Sequence, residues 1–359
     1  MSDETQNPDG AEDGAEKNHG VLYIGMDLGT SRTSVSASNG VRETVYSIVG
    51  YPKDVVSKKL LKKDVLFGKE ALEKRLSLKM FKPLEKGVLK YSDGDDSERQ
   101  AVENAAKDLI REAIRIAKPR TDELVYAVIG APAQASINNK DAIIDAARAT
   151  VDSVMLCSEP FAVAYGLDML EDALVVDIGA GTTDLCRMHG TMPDESDQIT
   201  IAIAGDSVDQ KLAELLERDC PGAQYTIQMV KDLKERWAYV GEPAERIMVT
   251  LPVDGKPTEF DITAQVKEAC MVLVDPIVDA IRRLIGSFDP EFQHKLRNRV
   301  LLAGGGSMVR GLDSAIEAAM ERDLGGGKVI RCEEPIYGGA NGALKIAHDM
   351  PEEYWEQLK

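Results

Sequence analysis

The sequence predicts an α/β fold made of two similar lobes with a cleft between them, and three observations support this. The chain has 359 residues, which is more than one small domain usually holds. Apolar runs typical of strands alternate along it with segments of helical periodicity. The frame D-x-G-x-x-x-T occurs twice, in residues 27–33 and again in residues 177–183, each time after an apolar strand.

The first half opens with three predicted strands. Residues 21–27 form an apolar run that ends at a carboxylate, and the small and β-branched residues 33–38 predict a strand that returns along it. Residues 41–49 predict a third strand. Residues 51–91 differ in character because they are rich in lysine and are interrupted by proline and glycine. We therefore expect a small inserted subdomain there.

An alternation of helices and strands follows this insertion. Apolar side chains recur at spacings of three and four through residues 98–118, which predicts an amphipathic helix. The next predicted elements are a buried strand at 124–129, a helix at 140–149, a strand at 153–157 and a helix at 160–170. This order completes a first α/β unit.

The pattern then restarts with a predicted strand at residues 174–177. A second insertion is expected over residues 206–260, which mix helical stretches with a strand-like run. The elements predicted in this half are that run at 246–253, a single long helix at 263–285, a strand at 300–303, a helix that starts near residue 312 and a helix at 338–348.

Composition excludes several functional classes. The formal net charge is −18, and such a surface repels nucleic acids and anionic lipids, so we expect no nucleic-acid partner. The five cysteines are scattered without a CxxC pair, which is typical of reduced thiols in a cytosol. The four histidines have no zinc-type spacing.

Membrane insertion is also not expected. No apolar run approaches the roughly 18 residues that a transmembrane helix needs. Residues 1–19 lack the basic start and apolar middle of a signal peptide and are rich in acidic and small polar residues instead. We expect them to form a disordered acidic tail.

The repeated hairpin loops carry the chemistry of phosphate binding. Glycine lets the backbone approach a ligand, successive N–H groups form an anion-binding concavity, and hydroxyl groups add donors. The aspartate at the strand end suits a hydrated Mg²⁺ between carboxylate and phosphate. A single loop of this kind is as consistent with an ordinary turn as with a phosphate site, but two matching loops favour a phosphate clamp. Neither a Walker loop nor a dinucleotide fingerprint is present.

Five segments resemble the motifs of the actin, DnaK-chaperone and sugar-kinase superfamily, in the expected order. DLGTSRTSV (27–35) and DIGAGTTDL (177–185) resemble its two phosphate motifs, and LLAGGGSMVRGL (301–312) resembles its adenosine motif. VIGAPA (128–133) and YGGANGALKIA (337–347) resemble its two connecting segments.

Further segments resemble the actin-like filament proteins of magnetotactic bacteria. They are VGYPKDV (49–55), SEPFAVAYGLD (158–168), VDIGAGTTD (176–184) and PEEYWEQL (351–358). This resemblance implies self-assembly into a cytoplasmic filament that aligns and positions magnetosomes, with magnetosome-associated adaptor proteins as further partners. It implies neither nucleic-acid binding nor direct membrane insertion.

The superfamily resemblance implies an actin-like (ribonuclease H-like) duplicated fold of four subdomains, with the nucleotide in the cleft between the lobes. It implies ATP and ADP as ligands, and Mg²⁺ held through water by Asp27 and Asp177. Glu159 matches the position that orients the attacking water, and Asp177 is the second catalytic residue. The other implied ligands of the nucleotide are Gly29, Thr30, Ser31, Gly179, Gly181, Thr182, Thr183, Gly205, Lys234, Gly304, Gly305, Gly306 and Ser307.

Local sequence offers simpler roles for some of these residues. Glu159 also suits a helix N-terminus, where an acid is stabilised by the helix dipole. The glycines at 304–306 also suit a strand-to-helix turn, and Lys234 suits an exposed helix face. Related proteins carry Glu-x-x-Lys to grip ribose and base, whereas Lys231 stands where the glutamate would be. This departure bears on nucleotide affinity and base selectivity.

The resemblance also implies a division of the chain. The predicted parts are a tail at 1–19, a first-lobe core at 20–50 and 92–170 with the C-terminal segment 337–359, its inserted subdomain at 51–91, a second-lobe core at 171–205 and 263–336, and its insertion at 206–262.

Other members of the superfamily supply the alternative functions. A cell-shape or plasmid-segregation filament shares the same mechanics. A small-molecule kinase is less favoured because no segment resembles a sugar-binding loop. A chaperone is disfavoured because little sequence follows the last connecting helix to form a peptide-binding domain.

Overall fold

The computed structural model describes residues 20–86, 88–90, 96–132 and 135–358. The acidic tail expected at residues 1–19 lies outside this range. Two five-stranded sheets dominate the structure, and they have the same strand order. The duplication that the repeated D-x-G-x-x-x-T frame predicts is therefore confirmed.

The first half of the chain supplies one sheet, its helices and a small second sheet. Its elements are β1 (Gly20–Leu28), β2 (Arg32–Ala37), β3 (Arg42–Tyr46), β4 (Val49–Pro52), α1 (Val55–Leu61), β5 (Leu66–Phe67), α2 (Gly68–Glu73), β6 (Leu78–Phe81), β7 (Leu84–Glu85), β8 (Val88–Leu89), α3 (Asp96–Ile116), β9 (Glu123–Ala131), α4 (Ile137–Arg148), β10 (Ser153–Ser158) and α5 (Glu159–Gly166).

The second half repeats the plan. Its elements are β11 (Ala173–Ile178), β12 (Thr183–Met188), β13 (Gln198–Ile201), α6 (Gly205–Asp219), α7 (Ile227–Trp237), β14 (Met248–Val253), β15 (Lys256–Asp261), α8 (Thr263–Met271), α9 (Val274–Gly286), α10 (Pro290–Arg297), β16 (Val300–Ala303), α11 (Leu312–Leu324), β17 (Val329–Arg331), α12 (Gly338–Asp349) and α13 (Glu352–Gln357).

The two large sheets correspond strand by strand. The first has the order β3-β2-β1-β9-β10, and the second has the order β13-β12-β11-β16-β17. In each, an antiparallel hairpin comes first, and its leading strand then pairs in parallel with strands that follow helices. Each leading strand is buried because helices and neighbouring strands cover it, which explains its uninterrupted apolar sequence.

Three of the four apolar clusters in the described part of the chain stabilise this arrangement. One lies within each half, between its sheet and the helices of that half. The third contains residues from both halves, including Val128, Phe161, Val175, Ala343 and the fully buried Trp355. It lies between the two sheets, and residues of α5 and α12 contribute to it.

The prediction of a single helix at residues 263–285 is wrong. The structure contains α8 and α9 instead, separated at Val272 and Leu273. Pro276 explains the break, because its ring nitrogen has no hydrogen to donate to the carbonyl four residues earlier and the ring crowds that carbonyl. Apolar periodicity continues across the break since both helices pack on the same core.

Other predicted elements also differ in part from the structure. The helix predicted at 160–170 ends at Gly166, and Asp168 has a left-handed backbone with φ of 55°, which no helix continues through. The strand predicted at 246–253 is confirmed as β14, but it forms a hairpin with β15, which the sequence did not predict.

None of the helices in the described part of the chain is long and apolar enough to span a bilayer.

Candidate functional site

Asp27 and Asp177 occupy corresponding places near the ends of the two leading strands. Asp27 pairs in register with Gly130 of β9 and with Ser34 of β2. Asp177 pairs with Asp184 of β12 and lies beside Ala303 of β16. Each aspartate thus stands where the carboxyl ends of parallel strands meet, which is the usual position of ligand sites in α/β sheets.

Glu159 lies beside Asp27 because of the sheet register. It begins α5 directly after β10, whose Cys157 pairs with Gly130. A Cβ atom added at Gly130 would lie 3.3 Å from Cγ of Glu159 and 3.9 Å from Cα of Asp27. The absence of a side chain at this glycine therefore leaves the two acids in one space.

The acids of the cleft raise one another's pKa. Burial, followed by repulsion from Asp184, raises the pKa of Asp27 to about 6. Burial and the charges of Asp27 and Asp184 also raise the pKa of Asp177 above its usual range. The pKa of Glu159 is raised first by burial and then by the three aspartates. The site therefore concentrates negative charge that a cation would compensate.

The two hairpin loops meet across the cleft. A Cβ atom added at Gly181 of the second loop would lie 2.8 Å from Oγ1 of Thr30 in the first loop, and 2.8 Å from Cα of Lys86. Between the loops is a cavity of about 340 Å³ that both lobes line. The loops can therefore contact one small ligand at the same time.

A glycine turn forms another wall of the cavity. Gly304 follows β16 with φ of 74°, and a Cβ atom at this position would lie only 2.2 Å from Oδ1 of Asp177. A Cβ atom at Gly306 would lie 2.2 Å from Cγ2 of Ile178. Both positions need glycine because the turn packs against the end of β11 next to its aspartate.

Nearly all residues that the sequence analysis selected line this cavity. They are Asp27, Gly29, Thr30, Ser31, Glu159, Asp177, Gly179, Gly181, Thr182, Gly205, Lys234, Gly304, Gly305 and Gly306. Thr183 and Ser307 do not. Both are buried, and their hydroxyls donate to the backbone oxygens of Ile203 at 2.7 Å and Gly304 at 2.7 Å. Their side chains form hydrogen bonds within the loops and do not line the cavity.

Helix α7 places charged side chains along the opposite side of the cavity. The Lys234 ammonium lies 2.8 Å from Oδ1 of Asp209 and donates to the backbone oxygen of Gly205 at 2.8 Å. It is thus held inside the second lobe and is not the exposed lysine of the simpler alternative. Lys231 lies about one helical turn earlier on α7. Its ammonium reaches across the cleft and donates to the hydroxyl of Ser31.

Sequence reasoning missed two features of the site. Asp184 is 1% exposed and does not line the cavity, but its charge raises the pKa values of Asp27 and Asp177. Its Oδ1 accepts a hydrogen bond from Thr200 at 2.5 Å. The hairpin register could have revealed it, because residues 177 and 184 pair across the turn. The cross-cleft ion pair between Arg32 and Glu235, at 2.6 Å, has no local sequence signal because the residues lie 203 positions apart.

The acidic cluster suits a magnesium ion bound through water. Among the described residues, no three His, Cys, Asp or Glu side chains form a cage that could hold a metal directly. Mg²⁺ does not need such a cage, because it keeps several waters and uses one or two carboxylates together with substrate phosphates. Asp27 and Asp177, with pKa values raised by burial and by neighbouring carboxylates, have the chemistry of such a site.

Comparison with known proteins agrees with this geometry. A family model described as MreB/Mbl protein matches residues 22–353. The chain is 38% identical over 346 residues to the actin-like protein MamK of Paramagnetospirillum magneticum. This alignment covers 96% of this chain and 97% of that protein. A structure described as a MamK double helical filament superposes with a TM-score of 0.87 at 38% identity, over 92% of this chain and 100% of the other.

A second solved structure bears on the ligand. It is a non-polymerising MamK mutant bound to AMPPNP, with a TM-score of 0.69, 38% identity and coverage of 92% of this chain and 100% of that one. AMPPNP is an analogue of ATP in which nitrogen replaces the oxygen between the last two phosphorus atoms. That MamK mutant therefore binds an adenine nucleotide.

Proposed function

The chain belongs to the MreB/Mbl family of actin-like proteins, and on this premise we propose that it binds ATP with Mg²⁺ in the cleft and hydrolyses it while assembled into filaments. It is an actin-like cytoskeletal protein of the filament-forming kind. ATP and ADP are the ligands because the cavity combines two phosphate-type loops with a glycine turn beside them.

One observation carries this proposal. Thr30 of the first loop and Gly181 of the second lie against each other and line the same cavity. Each loop follows a strand that carries an aspartate near its end. A single triphosphate in this space would contact backbone N–H groups and hydroxyls from both lobes, which is the arrangement that phosphate binding needs.

The residues divide the work of hydrolysis between positioning and charge. Catalysis of phosphoryl transfer depends mainly on these two effects. The bound Mg²⁺ would neutralise charge on the phosphates, and Asp27 and Asp177 would hold it through water. Glu159, at the start of α5, would orient the attacking water by accepting its hydrogen bond. Burial and the neighbouring aspartates raise its pKa, so its carboxylate accepts a proton more readily than an exposed one.

The test is phosphate release and sedimentation with Mg-ATP, comparing the wild type with Glu159→Gln. The substitution keeps the size of the side chain but removes the proton acceptor, so we expect filaments to pellet as before and hydrolysis to fall by about 10²-fold or more. Glu214→Gln is the matched control, because that glutamate is 69% exposed on α6. Unchanged hydrolysis in Glu159→Gln would remove this residue from the mechanism.

The same assay separates an ATPase from a small-molecule kinase. An ATPase releases phosphate from ATP without any added acceptor, because water is the nucleophile. A kinase needs a hydroxyl substrate, and release would depend on that addition. We expect release in buffer alone, at a rate that increases when the protein assembles, because filament contacts would favour the closed cleft.

We further propose that the filaments align and position magnetosomes in the cytoplasm, alongside the magnetosome chain. The support is the 38% identity to MamK across 96% of this chain, together with the matching filament fold. Expression in a magnetotactic strain that lacks its own MamK tests the idea, with electron microscopy of the organelle chain as the readout. Dispersed magnetosomes despite visible filaments would favour another cytoskeletal role.

A further inference from the structure

Cationic side chains line the cleft as well as acids. They are Arg32, Lys231, Lys234, Arg236 and Arg310. Two of these five side chains are paired with carboxylates, and two more are exposed to water. Arg32 pairs with Glu235 at 2.6 Å, and Lys234 pairs with Asp209 at 2.8 Å. Arg236 and Arg310 are exposed, so water solvates them.

Lys231 is the exception. It is partly buried, and among the described residues it forms no ion pair; its ammonium donates to the hydroxyl of Ser31. An ammonium has three hydrogen atoms to donate and cannot accept a hydrogen bond. Burial, followed by repulsion from Lys234, lowers the pKa of Lys231, although three nearby carboxylates offset part of this effect. An anion beside the ammonium would compensate for the water that the buried cation has lost.

The position of Ser31 indicates which anion this is. Ser31 lies in the first hairpin loop, between the aspartate-bearing strand β1 and strand β2. Lys231 comes from α7 of the second half, so its ammonium enters the phosphate-loop region from the other side of the cleft. Ribose hydroxyls and adenine nitrogens can pair with either hydrogen-bond donors or acceptors of the protein, whereas phosphate oxygens pair only with donors. A compact cation at this loop therefore suits phosphate oxygens.

We propose that Lys231 is a nucleotide-binding residue of this chain that contacts the phosphates of the bound nucleotide. The inference rests on the proposed function, since it assigns a residue to the same cleft. Ser31 holds the ammonium at the loop, and the arriving phosphate replaces or joins the hydroxyl as its partner. Because Lys231 and Ser31 come from different lobes, the same contact links phosphate binding to closure of the cleft.

The test compares ligands that differ only in their phosphates. Binding of adenosine, AMP, ADP and AMPPNP is measured by calorimetry with Mg²⁺, at protein concentrations below those at which filaments pellet. Lys231→Met removes the charge but keeps an unbranched side chain of similar length. We expect its affinity for ADP and AMPPNP to fall about tenfold or more, and its affinity for adenosine to stay unchanged.

Two further variants keep the result interpretable. Lys231→Arg retains the charge, so it should bind ADP within a few-fold of the wild type. Lys211→Met makes the same substitution on α6, where the lysine faces exposed glutamates, and should bind like the wild type. Thermal unfolding of each variant verifies that it is folded before the affinities are compared.

The outcomes separate this inference from the proposed function. If Lys231→Met binds ADP as tightly as the wild type, Lys231 is not a phosphate ligand, although the ATPase proposal stands. An equal loss for adenosine and ADP would also overturn the inference, because it would indicate a role at the nucleoside or in the shape of the pocket. If the wild type binds none of the four ligands, the proposed function itself is wrong.

Discussion

At the scale of single residues, the molecule uses buried carboxylates in two opposite ways. In the cleft, Asp27, Glu159 and Asp177 have raised pKa values because burial and repulsion from neighbouring carboxylates disfavour their charges. Away from the cleft, the Asp197 carboxylate lies 2.7 Å from Arg187, and both are at most 5% exposed. The proposed Mg²⁺ would compensate the first set, whereas the second is already paired and stabilises the fold.

Asp197 gives a prediction about pH. Burial alone would raise its pKa, but hydrogen bonds from His189, the Asp194 amide and Arg187 outweigh burial and hold the pKa below its usual value. Its stabilising effect is therefore complete above the unfolded-state pKa of about 3.9 and is lost as the pH falls through the lower folded-state pKa. We expect Asp197→Asn to unfold more easily than the wild type by about 3 kcal/mol at pH 7, because it leaves Arg187 buried without its counter-charge.

Urea denaturation at pH 7, 5 and 3 measures this difference. The gap between the wild type and Asp197→Asn should stay nearly constant from pH 7 to 5 and narrow towards pH 3. Asp275→Asn is the control, since Asp275 is 79% exposed and its ion pair with Arg322 should contribute about 0–1 kcal/mol. A gap that is the same at all three values would show that the charge of Asp197 does not stabilise the fold.

At the scale of secondary-structure elements, the contact between α5 and α12 connects the two halves. α5 carries Glu159 at its start, and α12 packs on both α5 and β1. The helices touch through backbone: a Cβ atom added at Gly342 would lie 1.7 Å from the backbone oxygen of Ala162. The position of Glu159 therefore depends on how closely these two helices approach.

Gly342→Ala tests this contact. The added methyl meets backbone atoms that cannot rotate away, so α12 must move from α5, and we expect a loss of about 3 kcal/mol in the free energy of unfolding. ATP hydrolysis should fall as well because α5 positions Glu159. Chemical denaturation and phosphate release are the measurements.

Gly286→Ala is the matched control for Gly342→Ala. Gly286 is the last residue of helix α9, and a Cβ atom there would meet nothing within 4 Å. The same change should therefore leave stability equal or raise it by up to about 1 kcal/mol, since alanine restricts the unfolded chain. Equal effects of the two substitutions would contradict the proposed importance of the α5–α12 contact.

At the scale of the whole molecule, duplication and charge have opposite consequences for assembly. Two sheets of equal strand order enclose one cleft, so a ligand that contacts both loops can set the relative position of the lobes. The net charge of −18, however, makes copies of the chain repel one another. Filament formation must overcome this repulsion.

Salt should therefore promote assembly. The Debye length is about 30 Å at 0.01 M and about 10 Å at 0.1 M ionic strength, so added KCl shortens the range over which neighbouring copies repel. We expect the fraction that pellets with Mg-AMPPNP to rise between roughly these two ionic strengths. Sedimentation at fixed Mg²⁺ and nucleotide measures it, and a pelleted fraction that ignores or falls with salt would contradict the prediction.

The sequence by itself determined the class of fold, its duplication and most of the cleft. These follow from local information: apolar runs specify strands, and a repeated Asp-Gly-Thr frame places the same turn in both halves. Asp27, Asp177 and the loop residues beside them were predicted from this frame, whereas Gly304 was predicted from the resemblance to the adenosine motif. The division of the chain into subdomains and the chemical role of each site residue stay predictions.

Tertiary structure decided what depends on residues far apart in sequence. Pro276 marks the break between α8 and α9 in the sequence. The apolar periodicity nevertheless continues across it, because both helices pack on one core, and it therefore predicted a single helix. The opposition of Asp184 and Asp177 depends on strand register. The contacts of Lys231 with Ser31 and of Arg32 with Glu235 join residues 200 and 203 positions apart. No local pattern encodes such pairs, because their energy exists only after the two halves have folded and closed around the cleft.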